Sequence, residues 1–156
     1  MAAVDESGWD DGALSASLVP LCRVEAKVAP NIRLSGTPLG TRVIAELLSA
    51  RFEGARFNAK LKGNAAADWL VISADGRIGL MDVRLTIETD DGALIYLQYN
   101  GRSLNSPESK RSEIRVSPRF ETGDTRYAWL NEALGVGKGF LDFSTGRLAY
   151  MFYLIR

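Results

Sequence analysis

Leu80-Met81-Asp82-Val83-Arg84-Leu85-Thr86-Ile87-Glu88 decides the class of fold. Met81, Val83, Leu85 and Ile87 alternate with Asp82, Arg84, Thr86 and Glu88. Successive side chains of an extended chain point to opposite sides, so this period of two predicts a strand with one apolar and one charged face. The run Gly79 to Thr89 ends at Asp91-Gly92, and the run Asp68 to Ser73 before it ends at Asp75-Gly76. Asp-Gly between such runs signals hairpins, because Gly takes the positive φ of a tight turn at no steric cost.

The same pattern spreads in both directions. Upstream, Leu18 to Val28 alternates, with Cys22, Val24, Ala26 and Val28 opposite Arg23, Glu25 and Lys27. Arg42 to Ala50 reads as a strand with helix as its competitor, and Phe52 to Leu61 as another, closed by Lys62-Gly63-Asn64. Downstream, Ala93 to Asn100 is followed by the polar stretch Gly101 to Ser112, which reads as a mobile loop around Pro107. Glu113 to Glu121 is a strand bent or edged at Pro118, and Arg126 to Leu134 is the one candidate for a helical turn. Leu148 to Ile155 closes the chain as a last strand.

Many short strands without convincing helices predict an all-β protein, either a barrel or a sandwich. A barrel is preferred because Ala93 to Tyr99 and Leu148 to Ile155 are apolar on both faces. With no helices to cover the outer face, long loops or a second subunit must do so, and a homo-oligomer is expected. The 156 residues suit one domain. Residues 1–17, rich in Ala, Ser, Asp and Gly, read as a flexible N-terminal tail, leaving 18–156 as a single barrel domain.

Composition excludes several function classes. The sequence holds no histidine and one cysteine, Cys22. Ser-His-Asp and Cys-His catalysis, histidine-ligated metals and an intrachain disulfide are therefore unavailable to one chain. No cofactor or metal is expected. The 19 basic and 19 acidic side chains cancel, which argues against a nucleic-acid partner. No apolar run approaches the roughly 20 residues of a membrane span, and no basic segment precedes an apolar one at the N-terminus. A cytoplasmic protein without membrane contact is expected.

Three segments carry possible chemistry. The charged face of Asp82, Arg84, Thr86 and Glu88 is either a solvated sheet surface or the lining of a polar lumen, where Arg84 could hold an anionic or carbonyl oxygen. Gly63-Asn64-Ala65-Ala66-Ala67-Asp68-Trp69 puts a carboxylate beside an indole. That is either a capped turn with a core ring, or a stacking wall next to an acid whose pKa burial would raise. Pro118 to Asn131 concentrates Phe120, Tyr127 and Trp129, as core packing or as a binding wall. Trp69, Tyr96, Tyr99, Trp129, Tyr150 and Tyr153 could line a pocket for an aromatic or terpenoid molecule. Gly135-Val136-Gly137-Lys138-Gly139 lacks the spacing and hydroxyl of a phosphate loop, and Asp90-Asp91-Gly92 lacks calcium-loop spacing.

Together these segments resemble the DUF3237 family, also called UPF0311. The matching stretches are Phe52-Glu53-Gly54, Ala67-Asp68-Trp69, Asp82 to Tyr96, Pro118 to Gly123 and Arg126 to Asn131, with Gly40-Thr41-Arg42 where the family tends to carry Gly-x-Arg. The likeness covers about residues 18 to 156. It implies a compact antiparallel β-barrel similar to the allene oxide cyclase and dirigent barrels, often oligomeric. It also implies, from a few fungal relatives, cofactor-free steering of a cyclisation or isomerisation. Carried over by position, the resemblance points to Arg42, Asp68, Trp69, Asp82 and Arg84 as pocket candidates, with Tyr96, Phe120 and Trp129 as wall. Gly63-Asn64-Ala65-Ala66 and Leu70 depart from the family pattern at the expected mouth.

Three functions follow as alternatives. The first is a cofactor-free isomerase or cyclase for a small, largely apolar oxygenated substrate, phenolic, polyketide or terpenoid-like. In it Asp68 moves a proton, and Arg84 with Arg42 stabilises oxyanion charge. The second is a non-catalytic binding protein for a small hydrophobic acid or phenol. The third is an oligomeric structural protein with no active pocket.

Overall fold

A computed structural model describes residues 14–106 and 108–156, and most of the expected N-terminal tail lies outside the described residues. The described residues form nine strands: β1 (Leu18–Val28), β2 (Ile32–Thr37), β3 (Gly40–Glu53), β4 (Asn58–Ile72), β5 (Ile78–Thr89), β6 (Leu94–Leu104), β7 (Arg111–Glu121), β8 (Gly135–Asp142) and β9 (Arg147–Ile155). A 3₁₀ helix, Thr125–Glu132, joins β7 to β8. All pairings are antiparallel. β1 pairs with β9 on one side and with β3 on the other, from Arg23↔Glu53 to Val28↔Leu47, which closes β1 and β3 to β9 into an eight-stranded barrel. β2 lies outside the circuit, paired only with the start of β3.

The alternation on β5 sets inside from outside. Met81, Val83, Leu85 and Ile87 are buried in the lumen, whereas Asp82, Arg84, Thr86 and Glu88 face outward. Leu97 and Ile95 on β6, Phe52 on β3 and Phe152 on β9 join them in the core. Of the two readings of the charged face, the solvated surface is the one observed: the lumen takes the apolar set because unpaired charges there would lose their hydration.

Several segments differ from their sequence reading. The stretch 52–61 is two strands joined by a turn at Gly54–Phe57. Lys62-Gly63-Asn64 does not end a strand. Instead residues 63–66 of β4 oppose the single Leu85 of β5, a wide bulge that leaves Gly63 at positive φ. The loop expected at 101–112 is short, since Gly101 to Leu104 belong to β6 and Arg111 and Ser112 to β7. β2 carries no readable alternation.

β8 is illegible as a strand in the sequence because its inward positions before Leu141 are the glycines Gly135, Gly137 and Gly139. Gly137 sits opposite Phe152 and Gly139 opposite Tyr150. A Cβ at Gly137 would stand 2.7 Å from Phe152 Cδ1 and 2.8 Å from Val116 Cγ2. The glycines therefore make room for the large β9 rings, the small-against-large pairing that fills a narrow barrel. Pro118 falls beyond Val116↔Gly137, the last β7–β8 pair, where no ladder donor is needed from it.

The 3₁₀ helix plugs one end of the barrel. Tyr127 and Leu130 are buried there, with Tyr127 edge-on to Phe57 at 6.5 Å. Asp124 caps the helix by accepting the Arg126 N–H. The Tyr127 hydroxyl donates to Asp91 at 2.9 Å, tying the plug to the β5–β6 turn.

Candidate functional site

The opposite end of the barrel is open and leads into a cavity of about 370 Å³. Val43, Ala45, Leu47, Leu70, Met81 and Val83 form much of its wall. Polar groups enter at two levels: Asp68, Tyr99 and Tyr150 lie deep, while Asn31, Arg33 and Asn105 lie at the mouth.

Register explains the deep group. Ala45, Asp68, Val83 and Tyr99 are consecutive partners across β3, β4, β5 and β6, so all four side chains point inward. Asp68 is the second residue after the 63–66 bulge, an irregularity of the kind that re-aims a side chain. The residue is 8% exposed, and its carboxylate Oδ1 accepts the Asp82 backbone N–H at 2.9 Å. Loss of hydration pushes its pKa up to about 7; the Asp82 N–H opposes this and the Asp82 charge adds to it. Asp68 is thus a carboxyl present in both protonation states near neutral pH.

Tyr99 and Tyr150 are packed edge to face at 5.9 Å. Burial holds both phenols above their usual range, so neither ionises near neutrality. The two hydroxyls are near enough to influence each other's ionisation, yet Tyr150 Oη is buried with no well-formed hydrogen bond to any described residue. The Tyr150 oxygen faces Tyr99 and has almost no accessible surface, so it must turn from Tyr99 to meet an oxygen entering the cavity.

Asp68 is the one member of the expected catalytic group that enters this cavity. Arg84 lies on the outer face, where Nη2 meets Asp82 Oδ2 at 3.0 Å and the guanidinium stands 4.9 Å over the Trp69 ring. The reason is parity: Asp68 pairs with inward Val83, so its neighbour Trp69 and the residues flanking Val83 all point outward. Arg42 is also outside and donates to the Trp69 carbonyl at 2.6 Å. Tyr96 pairs with outward Thr86. Phe120 does point inward but belongs to the packed core rather than the cavity wall. Trp129 sits on the plug beneath Arg56, 3.4 Å from ring centroid to guanidinium.

Tyr99 and Tyr150 are legible in the sequence as aromatic candidates, though not their direction. Arg33, Asn31, Asn105, Ser103 and Ser112 carry no sequence signal and are contributed by register and loop position. Cys22 is buried, with its thiol pushed up to about 12. Among the described residues no cluster of three His, Cys, Asp or Glu could hold a metal ion, and no helix is long and apolar enough to cross a membrane.

Comparison with known proteins gives a consistent picture. The family model described as "Protein of unknown function (DUF3237)" matches residues 16–155. The UPF0311 protein blr7842 of Bradyrhizobium diazoefficiens is 29% identical over 125 residues, covering 72% of this chain and 80% of that protein. A β-barrel like protein of Acinetobacter baumannii superposes with a TM-score of 0.80 at 28% identity, over 91% of this chain and 97% of that one. An enzyme from Penicillium herquei shares the fold at a TM-score of 0.66 and 20% identity, over 90% of this chain and 95% of its own.

Proposed function

The chain belongs to the DUF3237 family, and from the chemistry of its cavity we propose that it is a cofactor-free isomerase or cyclase for a small, largely apolar oxygenated molecule. The observation that carries this reading is Asp68: a buried carboxyl with a pKa near 7 at the deep end of an apolar cavity. Poised near ambient pH, it can take a proton from one substrate atom and return it to another, so the reaction needs no co-reactant. The Tyr150 hydroxyl, turned from Tyr99 toward the cavity, donates to the substrate oxygen on which charge develops. The walls hold the skeleton folded for an intramolecular step.

Arg42 and Arg84 enter as positioning residues. Arg42 fixes the carbonyl of Trp69, the residue next to Asp68, and Arg84 covers the Trp69 ring. The Penicillium herquei neighbour is described as an enzyme, so the barrel accommodates catalysis, although fold alone assigns none. The likeness to allene oxide cyclase and dirigent barrels belongs to the same proposal. So do a single barrel domain over 18–156, a cytoplasmic location and a homo-oligomer.

The test is a chromatographic screen of phenolic, polyketide and terpenoid-like compounds for conversion without change of mass, with Asp68→Asn as the paired control. The expected outcome is retained binding with turnover reduced by about 10² to 10⁴-fold. Full turnover in Asp68→Asn removes Asp68 as the proton carrier. Binding without conversion by the wild-type protein favours the second reading, a carrier for a hydrophobic acid or phenol, which the same apolar wall supports.

A further inference from the structure

Arg33 and Asp68 are the two charged side chains that line the cavity, and they stand at opposite levels. Asp68 is buried and half-neutral near pH 7. Arg33 is exposed on β2, opposite Val43, whose side chain also lines the cavity. Among the described residues Arg33 makes no ion pair and no side-chain hydrogen bond, whereas Arg23, Arg51, Arg84, Arg111, Arg115, Arg126 and Arg147 all have a carboxylate. Other arginines, Arg77 and Arg119 among them, share that state, but Arg33 is the one that lines the cavity. The amides of Asn31 and Asn105 flank the same opening.

From this arrangement we propose that the ligand carries one anionic head, a carboxylate or a group like it, held at the mouth by Arg33. Its apolar body fills the barrel and its inner oxygen meets Tyr150 and Asp68. The inference rests on the proposed reading of the cavity as the ligand site and narrows its substrate class. A second anion at the inner end is disfavoured, because Asp68 is itself the only ionisable acid there near neutrality and an added negative charge would have no cation to meet. Arg33 belongs to the row of Val43 and Asp68 to the row of Ala45, two residues on, so their backbone positions are one inward step apart along β3.

A matched pair of fluorescent probes tests the proposal: anilinonaphthalene sulfonate and its uncharged parent, N-phenylnaphthylamine, titrated into the whole chain. Wild-type protein is expected to bind the sulfonate about tenfold more tightly than the parent, a preference that falls with added salt. Arg33→Gln should remove that preference while leaving the neutral probe within about twofold, and Arg33→Lys should restore part of it. Ala45→Leu, which fills space in the cavity, should weaken both probes. An equal preference in Arg33→Gln, or none in the wild type, overturns the anionic head while binding of the neutral probe still upholds the cavity. Failure of the wild type to bind either probe, or indifference of both to Ala45→Leu, overturns the cavity reading and this inference with it.

Discussion

Asp68 makes a thermodynamic prediction independent of any substrate. Its pKa is about 7 in the folded chain, against the ordinary 3.8 when unfolded. Between those values the folded state holds a proton that the unfolded state has released, so raising the pH through this window costs stability. The loss begins near pH 4 and is complete just above pH 7. It amounts to a few kcal/mol, at about 1.4 kcal/mol for each tenfold difference in proton affinity between the two states. Exposed, ion-paired carboxylates such as Glu25 and Asp90 have lowered values and act in the opposite sense, losing stability as the pH falls toward and below 4. Denaturant midpoints of wild type and Asp68→Asn should therefore diverge from pH 4 to 7, with the variant flatter. Parallel curves would show that Asp68 ionises normally. Tyr150 supplies a second residue-scale expectation. Tyr150→Phe removes a buried hydroxyl that makes no well-formed hydrogen bond, and should leave the free protein equally stable or more stable by up to about 1 kcal/mol. A clear loss in urea denaturation would mean that the hydroxyl has an internal partner.

At the scale of the element, β8 shows how glycine can encode a strand. Inward Gly137 faces Phe152 and outward Val136 faces Tyr153, so the apolar alternation is present with its inner members reduced to hydrogen. Gly137→Ala forces a methyl against Phe152 and Val116, and should cost about 1 to 3 kcal/mol by thermal or urea unfolding. Gly123, between β7 and the 3₁₀ helix, has nothing within 4 Å of a built Cβ and no positive φ, so Gly123→Ala should fall within about 0.5 kcal/mol of wild type. Equal effects would show that packing inside β8 is looser than the ring contacts imply. The bulge at 63–66 is the other element with a consequence. It sits immediately before Ala67-Asp68, and it sets which residue of that segment looks into the lumen.

For the whole molecule, closure leaves β2 as a sheet edge beside a continuous outer surface, and part of that surface is apolar. Ile32 and Leu34 on β2 and Leu80 on β5 are 51%, 46% and 47% exposed. Ile32, Ile44 and Trp69 form one outward row across β2, β3 and β4. With a formal net charge of zero, two copies meet no long-range repulsion. The proposed homo-oligomer should sediment at a multiple of 17.0 kDa, and Leu80→Glu should shift it toward monomer. A wild-type chain that stays monomeric at high concentration would leave that apolar surface without a second copy to cover it.

The strands with strict alternation were legible from the residues alone, because a half-buried strand must write its two environments into its own period. β1 and β5 were visible in this way; the hairpins at Asp75-Gly76 and Asp91-Gly92 were visible from their turn residues, and the last strand from an unbroken apolar run. Closure was expected from strands apolar on both faces, and the family likeness followed from motif order. Which face looks inward could not be read, since a period of two is identical from either side of the sheet. Tertiary structure decided it through register: Asp68 pairs with Val83, and that single parity placed the carboxyl in the lumen and left Trp69, Asp82 and Arg84 outside. Arg33 stands far before Asp68 in the chain and Tyr150 far after it, and the three line one cavity only because the sheet curls shut. Local sequence determines strands; only the closed circuit of pairings brings their inward residues to one cavity.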